Sequence, residues 1–218
     1  MHPENDKIID ALLALTAERP WSEVTLEVLA ERARVSLATV RGIYETRLDV
    51  LRAFTRRLDQ SVLDGLDPHM AGEGARERLF DVLFSRIEAL GPHRPALRNL
   101  AAAARRDPLL AMELNRIVTV SMSWMLTAAG IRATGAMGAL RAQGLALVWS
   151  RVLQVWLRDE DPGLARTMAE LDRQLRRSER AVSNLDLLCA KFRGRRSSAA
   201  PAPSSSDIPP DVVEAHPS

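Results

Sequence analysis

The sequence has a single cysteine, few aromatic residues and no long uninterrupted hydrophobic run. Cys189 alone cannot form an intrachain disulfide or a cysteine-based zinc site, which favours a reducing compartment. The most apolar stretch, 142–157, is interrupted by Gln143, Arg151 and Gln154 and falls short of the roughly 20 apolar residues that span a bilayer. The polar, acidic N-terminus lacks the features of a secretory leader. We therefore expect a cytoplasmic protein.

Aromatic residues make up only 4% of the chain, and the sequence contains no alternating polar and apolar run. Because strands favour aromatic and β-branched residues, the sequence predicts an all-α fold, and its 46% hydrophobic residues suffice for a core. Lysine is also scarce, since Lys7 and Lys191 are the only lysines among 30 basic residues. These balance 28 acidic residues to a net charge of +2, which excludes a strongly basic coat and leaves nucleic-acid binding open.

The spacing of apolar residues, together with caps and Gly or Pro breaks, predicts a chain of helices. They cover 6–19, 26–34, 37–44, 47 to about 65, 75–90, 95–106, 109–129, 139–158 and 164–192. A loop around Pro68 and Gly72 separates a first domain, 1–58 with its fourth helix continuing to about 64, from a second domain, 74–193. The Pro/Ser/Ala-rich segment 194–218 is predicted to be disordered.

Residues 25–44 form a helix, a turn through Arg34 and Val35, and a short second helix that begins after Ser36. In a helix-turn-helix of this size the start of the second helix enters the major groove of DNA. The side chains there would be Leu37, Ala38, Thr39 and Arg41, suited to thymine methyl groups and to a guanine or phosphate. Thr25 and Ser36 could bind phosphates at the two helix starts. Such helix pairs are also common in all-helical proteins, so the pattern alone leaves DNA binding open.

Segment 21–51 resembles the TetR/AcrR transcriptional regulators. The resemblance is carried by the run from Trp21 to Val40, by the recognition-helix triplet Thr39-Val40-Arg41, by Tyr44, and by Arg47 in place of a phosphate-facing lysine. It implies a three-helix DNA-binding domain, a connecting fourth helix and a helical domain for ligand binding and dimerisation. Two features depart from the family pattern: Arg41 stands where a tyrosine is usual, and Gly42 follows it within the helix. Up to residue 60 there are nine basic and ten acidic residues, a net charge of −1, which is low for a DNA-binding unit whose affinity depends on neutralising phosphates.

The second half also resembles the TetR-shaped lipid-binding accessory proteins of ubiquinone biosynthesis, through residues 78–83, 123–126 and 142–168. That resemblance implies a bound lipid, loss of DNA binding and a membrane-contacting C-terminal helix. The last predicted helix fits it, because an apolar stripe runs from Leu164 to Phe192 at heptad spacing and arginines flank its second half. The stripe could equally pack on an apolar protein partner.

Two further sets of residues are candidates for binding in the second domain. A Trp/Met set at helical spacing, which is otherwise core, could contact a ligand: Phe84, Met122, Trp124, Met125 and Trp149. A dimer burying 139–158 and 164–175 as a four-helix bundle would use Trp149, Val152, Trp156, Leu164, Met168, Leu171 and Leu175.

No catalytic motif, metal site or cofactor motif is recognised in the sequence, so an enzyme is the least favoured class. We therefore predict a homodimeric transcriptional regulator, a repressor, that binds a double-stranded DNA operator and is released by a small hydrophobic effector. The alternative is a lipid-binding accessory protein of the same fold.

Overall fold

The computed structural model describes residues 3–180, and this part of the chain consists of helices without a strand. The helices are α1 (Pro3–Glu18), α2 (Leu26–Ala33), α3 (Leu37–Ile43), α4 (Arg47–Asp64), α5 (Ala75–Leu90), α6 (Arg94–Ala104), α7 (Pro108–Ala128), α8 (Gly135–Trp156) and α9 over 165–180. Short 3₁₀ turns lie at Trp21–Glu23, Pro68–Gly72 and Gly91–His93. The predicted all-α fold is thus confirmed.

Side-chain caps define the starts of α2, α3 and α4. Thr25 accepts a hydrogen bond from the Val28 amide, and Ser36 accepts one from the Thr39 amide at 3.0 Å. At α4, Thr46 and Asp49 cap each other's backbone amides in a capping box. These caps satisfy amides that have no partner within the helix, and therefore the helix starts agree with the sequence prediction.

The first three helices share a core with α4, because α1 packs on both α2 and α4. Ile8, Leu12, Leu29, Val40 and Val50 are fully buried in this core. Between α2 and α3 the chain turns through a left-handed residue, Arg34, at φ 56°. Each helix therefore directs one apolar face inward and leaves the start of α3 outside.

The later helices pack on the first four at several places. The helix α6 lies against α1, and both α5 and α7 lie against α4, while α7 and α8 form an antiparallel pair joined by the short connection 129–134. Residues up to Arg177 form one compact unit.

The helix starts differ most from the sequence prediction at α1, which begins at Pro3 rather than at residue 6, and at α8. The helix α8 begins at Gly135 rather than near residue 139, so Gly138 lies within it. Only glycine fits at position 138, because a Cβ there would fall 2.1 Å from the carbonyl carbon of Ala133. The helix α9 begins at 165, one residue after the predicted start, since Leu164 adopts a left-handed φ of 52°. The Asp161 carboxylate accepts a hydrogen bond from the Ala165 amide, which has no partner within the helix.

Several sequence predictions lie outside the described residues: the disordered tail 194–218, Cys189, and the part of the apolar stripe from residue 182 to 192 with its flanking arginines. Among the helices that the structure describes, none combines the length and the apolar character needed to cross a membrane.

Candidate functional site

The start of α3 presents side chains to solvent, as a DNA-reading helix must. Leu37 is 46% exposed although it is apolar, and Ala38 and Arg41 are also exposed, while Thr39 is half-buried. On the opposite face Val40 is completely buried and anchors the helix. The structure therefore places all four predicted base-contacting residues on or beside one outward surface, which we call the α3 surface (Leu37, Ala38, Thr39 and Arg41).

The hydroxyl groups predicted to contact phosphate lie beside this surface. Ser36 is exposed, and its Oγ is 2.8 Å from Thr39 Oγ1 in addition to capping the helix. Thr25 is exposed at the start of α2. Both hydroxyl groups accept from the backbone. The Thr25 hydroxyl also hydrogen-bonds the Glu27 carboxylate, so a phosphate oxygen would have to replace Glu27 as its acceptor.

Arg47 and Tyr44 are placed differently from the prediction, which had both near the DNA backbone. The Arg47 guanidinium donates to the carbonyl oxygens of Trp21, at 2.5 Å, and Val24, at 2.8 Å, and it lies 4.4 Å from the centre of the Trp21 ring. Burial lowers the pKa of Arg47 from its ordinary value. Tyr44 is buried, and its hydroxyl donates to Asn5. Both residues therefore brace the first four helices instead of extending toward a phosphate.

The charges of this region are distributed in a way that the net count conceals. Four carboxylates of the first helices are held in ion pairs by arginines. Asp6 and Asp10 pair with Arg57 and Glu18 pairs with Arg32, in each case between two helices, while Asp49 pairs with Arg52 within α4. Arg41 has only a loose ion pair, 3.7 Å from Glu45, in which both side chains are well exposed. Arg34 at the turn is exposed. Two arginines thus flank the α3 surface without a strong competing carboxylate.

A mainly apolar cavity of about 350 Å³ lies between α4, α5, α6, α7 and α8. Its walls include Leu51, Leu58, Leu100, Ile117, Trp149 and Leu153. The volume falls at the small end of the range for ligand pockets, about 300–1,000 Å³. Thus a small hydrophobic molecule fits this cavity.

Of the residues predicted to contact a ligand, only Trp149 lines the cavity. Met122 and Met125 are completely buried elsewhere in the core, and Trp124 is 53% exposed on the outer side of α7. Phe84 is half-buried with its ring stacked on that of Phe80. We therefore correct the predicted set to Trp149 alone, because helical spacing shows that a residue is buried without showing which buried face borders a void.

A buried polar cluster stands at the wall of the cavity. Arg86 is only 3% exposed, and its guanidinium donates a hydrogen bond to the Asp59 carboxylate. The Ser121 hydroxyl donates to the same carboxylate at 2.6 Å. Arg86 Cζ lies 5.5 Å from the centre of the Trp149 ring. Burial lowers the pKa of Arg86, and the charge of Asp59 opposes this shift. The Nε–H group of Arg86 has no hydrogen-bond partner.

Most residues predicted at a dimer interface are buried within a single chain. Trp149, Val152, Trp156, Leu171 and Leu175 face the chain's own core. Their side chains cannot also contact a second copy, so the predicted interface is corrected at these five positions. Met168, 37% exposed, and the half-buried Leu164 are the two members accessible from outside.

A different apolar surface is exposed on the α7–α8 pair. Gln143 hydrogen-bonds both Asn115 and Thr119 and so defines the facing sides of the two antiparallel helices. Another side of the same two helices is exposed and apolar. We call it the α7/α8 apolar face, and its members are Met112, Val120, Trp124, Met137, Leu140 and Leu147. All six are more than half exposed. Exposed apolar side chains grouped on neighbouring helices are typical of interaction surfaces.

The helix α6 connects the cavity to the end of α1. Asn99 donates to the carbonyl oxygens of Thr16, at 3.0 Å, and Ala17, at 3.1 Å, at the end of α1. Arg94 and Arg98 donate to carbonyl oxygens at the end of α8. Leu100 and other residues of α6 meanwhile line the cavity. A change in the cavity can therefore reach α1 through one rigid helix.

The residues missed by the sequence interpretation are Asp59, Arg86, Ser121 and Asn99. The sequence did contain a signal that Arg86 and Asp59 are buried. Arg86 directly precedes Ile87 in the apolar run of α5, and Asp59 directly follows the apolar Leu58 of α4. Charged residues are rarely fully buried unless paired. In the part of the chain that the structure describes, no group of His, Cys, Asp or Glu is arranged to hold a metal ion.

The fold was compared with known proteins. The sequence matches no protein-family model, and it matches no curated protein. A TetR transcriptional regulator from Nitrosomonas europaea superposes with a TM-score of 0.62 at 22% identity, over 80% of this chain and 96% of that one.

Two other solved structures agree with the first. A TetR-family regulator from a Rhodococcus species gives a TM-score of 0.55 at 19% identity, over 80% of this chain and 97% of the other. The fatty acid degradation regulator FadR from Bacillus halodurans gives 0.54 at 17% identity, over 80% and 95%. The comparisons do not favour the lipid-accessory alternative. The chain has the fold of the TetR-family transcriptional regulators.

Proposed function

We propose that this protein is a transcriptional regulator that binds an operator in double-stranded DNA as a homodimer and is released when a small hydrophobic molecule enters its cavity. The observation that carries the proposal is the α3 surface. The short helix α3 is capped by Ser36 and held by the buried Val40, and it exposes its first residues in a fold shared with transcriptional regulators. Repression follows from this arrangement if the operator overlaps a promoter.

Base reading is assigned to the α3 surface. Leu37 and Ala38 present apolar groups that suit thymine methyl groups, and Arg41 can donate two hydrogen bonds to a guanine. The exposed side chains of Arg34, Ser36 and Thr25 supply phosphate contacts that fix the helix in the groove. Since Arg47 is turned inward, Arg34 and Arg41 are the principal cationic contacts of this proposal.

The DNA test compares the protein with its Arg41→Ala variant on a fragment from upstream of its own gene. We expect salt-sensitive binding by the unmodified protein and at least about a tenfold loss in the variant, because a bidentate arginine–guanine contact contributes about 1–3 kcal/mol. Arg132→Ala removes an exposed arginine from the connection between α7 and α8 and is the matched control. Equal affinity of R41A and R132A would contradict the assignment of α3 to base reading.

Dimerisation is proposed through the α7/α8 apolar face, together with Leu164 and Met168. A second copy is required because regulators of this type read two half-sites about 34–36 Å apart with two symmetric recognition helices. Gly144 lies on the exposed side of α8 among these residues, and no atom lies within 4 Å of the Cβ it would carry. Its lack of a side chain lets another helix approach closely.

The dimer test is sedimentation velocity at micromolar concentration. The unmodified chain is expected to sediment as a dimer, and Leu147→Asp as a monomer, because a charge would be buried at the centre of the interface. Leu66→Asp changes an exposed leucine in the loop after α4 and serves as control. A monomeric unmodified protein, or dissociation by L66D as readily as by L147D, would overturn this interface.

Release is proposed to act through α6. A molecule that enlarges the cavity displaces Leu97, Leu100 and Ala101 of this helix, which Asn99 ties to the end of α1. A ligand changes DNA affinity only if it binds the two conformations unequally. We assign this difference to α6, which lines the cavity and is hydrogen-bonded to the end of α1.

A further inference from the structure

We propose that the cavity takes an uncharged, mainly apolar molecule that places a carbonyl-type oxygen against Arg86. This inference rests on the proposed function, whose ligand it assigns to a chemical class. It follows from three properties of the cavity: an unused buried donor, a charge already neutralised, and walls that offer little other polarity.

The unused donor is the Nε–H group of Arg86. Arg86 is almost completely buried, and its contact with Asp59 leaves this N–H without an acceptor. A buried donor that has lost its water and gained no partner is unfavourable, and therefore an acceptor that enters the cavity gains an unusually strong hydrogen bond. A guanidinium donates and never accepts, so the complementary group on the ligand is an oxygen acceptor.

Three other polar side chains of the cavity wall already have partners, and a fourth, Gln154, is exposed to solvent. Asn115 exchanges hydrogen bonds with Gln143. The hydroxyl groups of Thr55 and Ser150 donate to carbonyl oxygens of their own helices, at 2.9 and 2.8 Å. These groups line the cavity without offering a free donor to a ligand. Arg86 therefore determines where the polar end of a bound molecule lies.

The charge balance of the cluster favours a neutral ligand. Asp59 compensates the charge of Arg86, and Ser121 stabilises the same carboxylate. A second carboxylate beside Asp59 would repel it in a poorly screened interior. Arg105, the other arginine of the wall, is exposed and remains hydrated at the mouth of the cavity. The buried end thus offers a hydrogen-bond donor without net charge.

The remainder of the ligand must be apolar. Leu51, Leu58, Leu100, Ile117 and Leu153 surround the void, and the Trp149 ring provides a flat wall beside the Arg86 guanidinium. An aryl or alkyl ketone, ester or lactone has this combination of one strong acceptor and an apolar body. Alkanes lack the acceptor, and fatty acids or aryl carboxylates carry a charge at the wrong end.

The test uses three probes of matched shape: 4-butylacetophenone, 4-butylbenzoate and 1-butyl-4-isopropylbenzene. Dissociation constants are measured by calorimetry with the full chain in the absence of DNA. We expect the ketone to bind about 10- to 100-fold more tightly than the isopropyl compound, the value of a hydrogen bond to a charged donor. The benzoate should bind more weakly than the ketone.

Variants assign the preference to Arg86. The double variant Asp59→Leu/Arg86→Met replaces the pair by apolar residues and so leaves no buried charge behind. It should bind the ketone and the isopropyl compound with equal affinity. Arg56→Met, an exposed arginine of α4 outside the cavity, should retain the preference.

The outcomes separate the ligand class from the regulatory function. Tightest binding of the benzoate, equal binding of ketone and isopropyl compound by the unmodified protein, or no binding of any probe would overturn the ligand class. A preference for the ketone that D59L/R86M abolishes supports it. If the ketone binds with this preference and the affinity for DNA stays the same, the ligand class holds and the release mechanism fails.

Discussion

Replacing Arg86 by methionine isolates a carboxylate in the core of the protein. The Asp59 side chain is 9% exposed, and in the variant it would retain only the hydroxyl of Ser121 as a partner. Breaking a buried ion pair from one side costs about 3–5 kcal/mol, because the remaining charge stays desolvated. Since whole domains are stable by only about 5–15 kcal/mol, R86M should lose a large part of its free energy of unfolding.

Replacing both partners should have a much smaller effect. In Asp59→Leu/Arg86→Met no charge remains buried, and such replacements are neutral or even stabilising by about 1–4 kcal/mol. The two single variants and the double variant therefore form a cycle whose coupling energy should be several kcal/mol. The Ser121 hydroxyl, which loses its acceptor in the double variant, reduces the gain by about 1 kcal/mol.

The assay is urea denaturation followed by circular dichroism, with all four proteins at one concentration because dimerisation adds to apparent stability. The unfolding midpoint of R86M should fall sharply, while that of the double variant returns near the value of the unmodified protein. If R86M loses less than about 1 kcal/mol, or if the double variant loses the sum of the two single losses, the pair is not the coupled buried unit inferred from its contacts.

Three further predictions concern single positions. Gly138→Ala should destabilise by about 1–3 kcal/mol, because its Cβ would overlap backbone atoms of Ala133, whereas Gly42→Ala, with open space around it, should gain up to about 1 kcal/mol; thermal unfolding compares the two. Asn99→Ala should lose about 1–3 kcal/mol with its two bonds to α1, and the hydrophobic effector should then lower DNA affinity less, as measured by fluorescence anisotropy. Burial lowers the pKa of His93, so the unfolded state binds more protons near its ordinary pKa of about 6.5; stability should fall as the pH decreases through that region, and His93→Gln should flatten this part of the urea-midpoint curve.

The helix-turn-helix could be predicted from the sequence because its signals are local. The caps Thr25, Ser36 and Thr46 satisfy amides one turn away, so their effect depends on three or four neighbouring residues and on nothing distant. Each of these features is decided within one or two helical turns.

The cavity and the interface could not be predicted in the same way. Met125 and Trp149 both occupy buried helical positions, yet only Trp149 faces the void. Periodicity identifies the side of a helix that avoids water, and it contains no information about whether the facing volume is filled. Spacing also fails to show which residues of α8 are available to a second copy. Trp156 is buried within its own chain, whereas Leu147 is exposed on the surface.

The abundance of arginine has a structural explanation that the composition concealed. Several guanidinium groups donate to main-chain carbonyl oxygens at turns or helix ends: those of Arg47, Arg78, Arg94, Arg98 and Arg141. The last turn of a helix leaves carbonyls without partners, and a forked cation can bridge two of them, as Arg94 does at the end of α8. Such an arginine contributes to the charge count, but its guanidinium is occupied and does not reach out to a phosphate. The near-zero net charge therefore neither supports nor opposes DNA binding, because what matters is that Arg34 and Arg41 remain exposed beside α3.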